Sequence, residues 1–384
     1  MVLRLTLPLC AAAAVPFGEH APDAYKGTIK TFAEGEFPTT ADFYSKYANS
    51  WGQPLLFKGA AKHMAGMKWT DDVLIAKAGA HPIDVEFAKK ETRRAEVNRL
   101  PFAQFLSRYN TSDIYSVTDV PPPMMPDVEL LPFLGCAGYT KLLDVATMWM
   151  SSGGTYSVLH NDDQDNINCL FAGSKRMVFW HPARRDLIQS KAYGWHNYNE
   201  EPLHDGGYGS FAKWLDVKDV DLAKYPGWAK LPWWDGDMET GDCLYIPHKW
   251  YHTVASKDRN IAVNVWWWRN DANGGNVRGD VAKEPNAPFA GEQGPCVAGP
   301  FSLAECEWGF EHTHGGKGAW KQTRAKEFTH CKKGGRGGSI KLQGGGEGGG
   351  EAGEEGGEED LEEEGGREEN DEETRDAGDD HDEL

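Results

Sequence analysis

Apolar residues recur at helical spacing early in the chain and at strand spacing in its middle, and they nearly vanish beyond residue 344. Between Thr39 and Tyr109, the runs Asp42-Phe-Tyr-Ser-Lys-Tyr47, Asp71-Asp-Val-Leu-Ile-Ala-Lys-Ala-Gly79 and Pro101-Phe-Ala-Gln-Phe-Leu106 predict short helices, each with an acidic or proline start. Val120-Pro-Pro-Pro-Met-Met-Pro126 predicts a loop without regular structure. From Ala146 to Trp268 the apolar runs become short, β-branched and aromatic, as in Arg176-Met-Val-Phe-Trp180 and Ile261-Ala-Val-Asn-Val-Trp-Trp267. Turn signals such as Gly153-Gly154 and Asp235-Gly-Asp237 separate them. The pattern predicts a mainly β fold with N-terminal helices, a double-stranded β-helix of the jelly-roll kind. Tyr193 to Lys230 reads as a long loop with helix, placed to frame a ligand.

The strand-rich region carries His160 and Asp162 in Leu-His-Asn-Asp-Asp-Gln-Asp-Asn, and His252 far downstream in Pro-His-Lys-Trp-Tyr-His. An H-x-D pair followed by a distant histidine is the sequence form of a 2-His-1-carboxylate triad, which binds iron(II) on one face and leaves the opposite positions open. H-x-D alone is a weak signal. Here Ser157 precedes His160 by three residues, Asn166 follows it by six and Lys175 by 15, while Asn264 stands 12 beyond His252. A lysine after Gly173-Ser174 is ordinarily a turn residue. In this ordered series it becomes a candidate anchor for the distal carboxylate of a dicarboxylic acid such as 2-oxoglutarate. His181, His196, His204 and His248 are expected to be surface or loop histidines.

The series Ser157-x-x-His160-x-Asp162, Asn166, Gly173-Ser-Lys175, Gly241-Asp-Cys-Leu-Tyr-Ile-Pro247, His252 and Asn264-x-Trp266 resembles the JmjC-domain, cupin-like 2-oxoglutarate oxygenases. Within them it is most similar to the small hydroxylases that include the asparaginyl hydroxylase of hypoxia-inducible factor. Gln53–Gly59 with Trp69-Thr-Asp-Asp72, and Leu100–Tyr109, look like that family's first strand and early helices, so the resemblance spans roughly residues 36 to 270. It implies that His160, Asp162 and His252 hold Fe(II) and are the catalytic residues, that Ser157, Asn166 and Lys175 hold 2-oxoglutarate, and that Asn264 and Trp266 line the pocket. Dioxygen is then the co-reactant, with ascorbate as a reductant. The family's tyrosine partner for the lysine has two candidates here, Tyr115 and Tyr139. The reaction implied is hydroxylation of a protein or peptide side chain. The alternatives are a catalytically silent binding or chaperone-like module and a lysine demethylase.

The 384 residues, with 40% hydrophobic content and 15 Trp, suffice for one large core. Of the formal charge of −19, −18 lies in residues 344–384, a Gly/Glu tail expected to be disordered, so the body is nearly neutral. That balance speaks against nucleic acid as a partner. Met1–Val15 reads as a signal peptide and His381-Asp-Glu-Leu384 as a retrieval signal read by a receptor, which predicts the endoplasmic reticulum lumen. No transmembrane segment is expected, and the acidic tail suits only loose Ca2+ association. Asn110-Thr-Ser112 is a glycosylation sequon. The chain thus divides into 1–15 signal, 16–120 N-terminal α/β portion, 121–270 β-helix core, 271–343 Gly/Cys/Lys-rich extension and 344–384 tail. Six cysteines remain after the signal; Cys296–Cys306 is the expected bridge, and Cys169 and Cys243 read as buried thiols.

Overall fold

A computed structural model describes residues 24–89, 97–135, 142–193, 211–212, 220–269, 301–306, 310–315 and 319–324. The signal, the acidic tail, the retrieval signal, and Cys136, Cys296 and Cys331 lie outside the described residues. Among the described residues, thirteen strands form one hydrogen-bonded system. In chain order they are β1 (Tyr25–Thr28), β2 (Lys30–Phe32), β3 (Leu55–Phe57), β4 (Pro82–Phe87), β5 (Val97–Pro101), β6 (Ile114–Asp119), β7 (Leu143–Ser151), β8 (Leu159–His160), β9 (Asp165–Trp180), β10 (Phe211–Ala212), β11 (Trp233–Glu239), β12 (Cys243–Ile246) and β13 (Tyr251–Trp267).

The long strands β9 and β13 pair antiparallel along nearly their whole length, and each belongs to both faces of the jelly roll. The first half of β9 pairs with β12, and the second half of β13 with β7, in a face ordered β2-β3-β12-β9-β13-β7-β6-β4-β5. The other halves pair with β11 and β8, and β1 and β10 flank them. The change of face falls at Gly173, whose φ is +81°, and opposite a register shift between Lys257 and Ile261. A Cβ at Gly173 would lie 2.6 Å from the Arg259 carbonyl oxygen and 2.7 Å from that of Lys257, so both space and φ demand glycine. Lys175 therefore stands inside β9 just past this bend and not in a turn, because the ladder continues through it.

The expected helices form at Thr40–Asp42, which runs on into a wider turn at Phe43–Tyr47, and at Asp71–Ala78 and Phe102–Leu106. Thr70 caps the second, its hydroxyl accepting from the Val73 amide, with Asp71 and Asp72 in the first turn. These helices are tied to the bend: Arg259 donates to Asp71 Oδ1 at 2.7 Å and to the Trp69 carbonyl at 2.8 Å. The proline-rich segment is not irregular. Pro122–Asp127 winds as a 3-10 helix, since successive prolines fix φ near helical values at its first positions. The β4–β5 hairpin, with its mixed polarity, was hidden within the region read as helical.

The main core lies between the N-terminal helices and the larger face, with Phe43, Phe57, Phe102, Phe105, Phe133 and Trp267 fully buried. Each contributes about 1.5–3 kcal/mol by burial. Cys169 and Cys243, expected as thiols, face each other across β9 and β12 and are disulfide-bonded. Cys306 is also disulfide-bonded, and Cys296, its expected partner, lies outside the described residues.

One buried carboxylate joins the ends of β9, β12 and β13. Asp165, with no exposure, accepts from Arg269 Nε at 2.8 Å, Arg269 Nη2 at 3.1 Å, Tyr245 Oη at 2.8 Å and the His248 amide at 2.8 Å. Arg269 also donates to the Ser50 carbonyl. Removing the guanidinium leaves a buried anion, which costs about 3–5 kcal/mol. Arg269→Met is accordingly expected to lower the urea midpoint more than Arg259→Met, whose partner Asp71 is a third exposed; equal losses would deny Asp165 this role.

His248 is a loop histidine as expected, in the turn before β13, but it is fully buried and not at the surface, and among the described residues neither ring nitrogen has a hydrogen-bond partner. Burial, and then the nearby Arg269 charge, push its pKa from 6.5 down to about 3. Between those values the unfolded chain takes up a proton that the folded chain refuses. Stability is thus fully present above pH 6.5 and falls as pH drops toward 3, by up to about 1.4 kcal/mol per pH unit. His248→Gln should flatten the decline of the urea midpoint between pH 7 and pH 4.5 relative to the parent protein, and an unchanged decline would refute the assignment.

Candidate active site

The two metal-type segments meet because β8 pairs with the start of β13, which sets His160 directly opposite His252. The imidazole centroids are 4.3 Å apart. Asp162, just after β8, brings Oδ1 to 4.0 Å from His160 Nε2 and Oδ2 to 3.6 Å from His252 Nε2. One ligand atom from each of the three lies within 4.8 Å of the others. The turn before His252 is clamped to the same segment. Lys249, at φ +65°, donates its amide to the Asp162 carbonyl at 2.8 Å and its ammonium to Asp163.

Backbone carbonyls determine the histidine tautomers. His160 Nδ1 lies 2.7 Å from the Val158 carbonyl oxygen, and His252 Nδ1 lies 2.9 Å from that of Trp250. A carbonyl only accepts, so both Nδ1 atoms carry hydrogen and both Nε2 atoms offer lone pairs. Two lone pairs and a carboxylate then converge, and Asp162 Oδ2 is buried without a hydrogen-bond partner. Acceptors gathered with no donor between them suit a cation, and this mixed nitrogen and oxygen set fits a divalent transition metal such as iron(II).

The triad opens into a cleft, about 690 Å³ when its open solvent mouth is counted, lined also by Ser157, Asn166, Lys175, Asn264 and Trp266. The eight residues read from the sequence as metal or co-substrate ligands and pocket lining thus share one cavity. Lys175 is buried, and among the described residues its ammonium donates only to Ser256 Oγ, at 2.9 Å. Burial lowers its pKa from 10.5 to about 8. Ser157 Oγ accepts from the Val254 amide at 2.8 Å, which leaves its hydroxyl hydrogen free to donate. Asn264 Nδ2 donates to Asn166 Oδ1 at 2.8 Å, and Asn168 Nδ2 to Asn264 Oδ1 at 2.5 Å, a ladder across β9 and β13. The Asn166 amide group Nδ2 has no partner. A buried ammonium and spare amide and hydroxyl donors fit an anionic oxygen ligand.

Of the two tyrosine candidates, Tyr115 lines the cleft and donates to Glu86 Oε2 at 2.6 Å, while Tyr139 lies outside the described residues. Among the aromatics near the metal segments, Trp266 faces the cleft, whereas Trp233, Trp267 and Tyr251 are packed in the cores. His181 is half-buried, with Nδ1 accepting from the Ala183 amide at 3.0 Å, and His196 and His204 are outside the described residues. Sequence reasoning missed Asn168 and Ser256. Each sits an even number of positions from a residue it had named, Asn166 and His252, so strand alternation carried the signal. For Trp149 and Lys89, also on the cleft wall, no sequence signal existed.

The chain is 25% identical over 247 residues to Jumonji C domain-containing protein 5 of Drosophila melanogaster, which covers 60% of this chain and 58% of that protein. It is 28% identical over 153 residues to the human bifunctional peptidase and (3S)-lysyl hydroxylase JMJD7, covering 38% and 48% respectively. With lysine-specific demethylase JMJ30 of Arabidopsis thaliana it shares 27% identity over 227 residues, covering 56% and 50%. The chain spans about half the length of these curated relatives. The cupin-like domain matches residues 40–273, well over half of the chain and all of the strands that build the cleft. The protein belongs to the cupin-like domain family.

Proposed function

We propose that this protein is an iron(II)- and 2-oxoglutarate-dependent oxygenase that hydroxylates a polypeptide side chain in the lumen of the endoplasmic reticulum. The observation that carries the reading is the meeting, in one cleft, of a donor-free His160–Asp162–His252 acceptor set with the buried ammonium of Lys175. When bound, iron(II) with 2-oxoglutarate and dioxygen supplies the oxidising chemistry. The protein's own residues do the rest. His160, Asp162 and His252 hold the ion on one side, with the Val158 and Trp250 carbonyls keeping both imidazoles in the ligating tautomer. The Lys175 ammonium meets the distal carboxylate, and the Ser157 hydroxyl and Asn166 amide add hydrogen bonds to the same co-substrate. Asn264 orients Asn166, and Trp266 walls the cleft from water.

The lumenal address rests on the terminal signals, and the Cys169–Cys243 bridge supports it, since disulfides persist in oxidising compartments. Asn110 of the sequon is exposed. Among the described residues no helix is long and apolar enough to cross a membrane. We read the acidic tail as a solvated spacer before the retrieval signal, with loose Ca2+ association secondary. A lysine demethylase is the second reading, favoured by the name of the Arabidopsis relative. The two differ in product, because demethylation releases formaldehyde and hydroxylation of an unmethylated side chain does not.

Asp162→Ala and His252→Ala are expected to abolish Mn(II) binding, followed by electron paramagnetic resonance, and with it succinate formation from 2-oxoglutarate, while cooperative unfolding persists. Full metal binding in either variant would remove the triad assignment.

The lowered pKa of Lys175 gives the co-substrate a pH dependence. Below pH 8 the ammonium is charged and binds a carboxylate; above it the free protein loses the proton that the complex retains. Affinity for 2-oxoglutarate should be flat near pH 7 and weaken by about tenfold per pH unit above pH 8. Calorimetric titration of the Mn(II) protein measures this, and Lys175→Ala should bind weakly at every pH. A pH-independent affinity in the parent protein would move the anchor elsewhere.

A further inference from the structure

The cleft has a second cation that the proposed co-substrate does not use. Lys89 lies just beyond β4, half-buried on the cleft wall, and its ammonium donates to Ser152 Oγ at 2.7 Å. Among the described residues no carboxylate pairs with it. Ser152 Oγ in turn donates to the Tyr109 carbonyl at 2.9 Å, which fixes its lone pair toward the ammonium.

The backbone holds Lys89 firmly. Its amide donates to Asp113 Oδ1 at 3.0 Å, and its carbonyl accepts from the Tyr156 amide at 3.1 Å. The residue before it, Ala88, has φ +103°, a conformation that costs an L residue on the order of 1–3 kcal/mol. Its amide is held by the Asp113 carbonyl at 2.8 Å. Strain of this kind persists where surrounding contacts over-determine the backbone, and it clusters at ligand clamps. Here it turns the chain so that the lysine faces the cleft.

Charge balance says what Lys89 awaits. Histidines aside, the charged groups lining the cleft among the described residues are Lys89, Lys175 and Asp162. A bound dication and the two ammoniums bring four positive charges, against three negative ones from Asp162 and the 2-oxoglutarate dianion. One positive charge is left over, and Lys175 is already matched by the distal carboxylate. The hydroxyl-bearing Thr155 and Tyr156 stand on the same wall and suit an oxygen anion.

We infer that Lys89 is a specificity-determining residue that binds a carboxylate of the polypeptide substrate, so that the enzyme selects an acidic segment. This rests on the oxygenase reading above. The carboxylate comes from an Asp or Glu side chain or from a chain terminus, and both sources present the same anion.

The test uses the full chain loaded with Mn(II) and 2-oxoglutarate, which binds without turnover. The probes are three fluorescent peptide libraries: one acidic, one with Asn and Gln in place of Asp and Glu, and one acidic but amidated at the C-terminus. Anisotropy is expected to show binding of the acidic library at least tenfold tighter than the Asn/Gln library. Lys89→Gln should erase that preference and Lys89→Arg should keep it, with 2-oxoglutarate affinity within twofold in both. Loss of binding on amidation alone assigns the carboxylate to a chain terminus. Equal binding of all three libraries, no binding by the acidic library, or a preference that survives Lys89→Gln overturns the proposal. A tenfold loss of 2-oxoglutarate affinity in Lys89→Gln overturns it too, by making Lys89 a second co-substrate anchor. Failure of the parent protein to bind Mn(II) and 2-oxoglutarate strikes the oxygenase reading itself, and is seen before any peptide is added.

Discussion

The Asp165 carboxylate is the point on which the rest of the site depends. It begins β9, three residues after Asp162, and it accepts from the Tyr245 side chain at the end of β12, from the His248 amide in the turn before β13, and from Arg269 just beyond β13. A bidentate guanidinium and two further donors saturate it, which is the condition under which a charge is tolerable at zero exposure. Such a pair adds little net stability beside an apolar replacement. It has a directional effect instead: only one register of β12 and β13 on β9 satisfies all four donors. That register is the one that sets His252 across from His160.

Above this clamp, the cleft is assembled from groups held in place before any ligand arrives. The histidines are oriented by carbonyls two residues before them, so the same strand that carries each ligand also sets its tautomer. Lys249 adds a strained contact between the Asp162 segment and the turn leading to His252. Holding three acceptors together without a donor is electrostatically unfavourable, and the surrounding hydrogen bonds offset it. Such a set suits a dication, because the geometric work is done during folding. Lys175 follows the same logic with the opposite sign, a cation buried with only a hydroxyl for company.

Much of this was legible in the sequence, and the reason differs from residue to residue. The spacing of His160, Asp162, Asn166 and Lys175 is local, and strand periodicity sets their common face, so their order along the chain carried nearly all the information. The helices around Asp71 and Phe102 were legible for the same reason, their signals lying within one or two turns. What escaped depended on register between distant strands. The Cys169–Cys243 bridge joins residues 74 apart that meet because β12 pairs with β9, and nothing near either cysteine announces the other. The partnership of Asp165 with Arg269 and the burial of His248 are likewise products of pairing across the sheet. Lys175 was placed in a turn because Gly173-Ser174 looks like one; the glycine bends a continuous strand between two faces instead.

That bend links the fold to the chemistry of the cleft. Because β9 and β13 each cross from one face to the other, the metal side of the cleft and the Lys175–Ser256 pair sit on one face, while Asn166, Asn168 and Asn264 sit on the other. A ligand reaching both faces bridges the halves of the jelly roll across a hinge where only Gly173 fits. The Asn260 side chain spans the hinge by donating to the Ser174 carbonyl, and Arg259 fastens it to the helix at Asp71. The N-terminal helices therefore do more than cover the sheet. They brace the bend between the two faces, and so set how the Asn166, Asn168 and Asn264 ladder on one face stands toward the triad and Lys175 on the other.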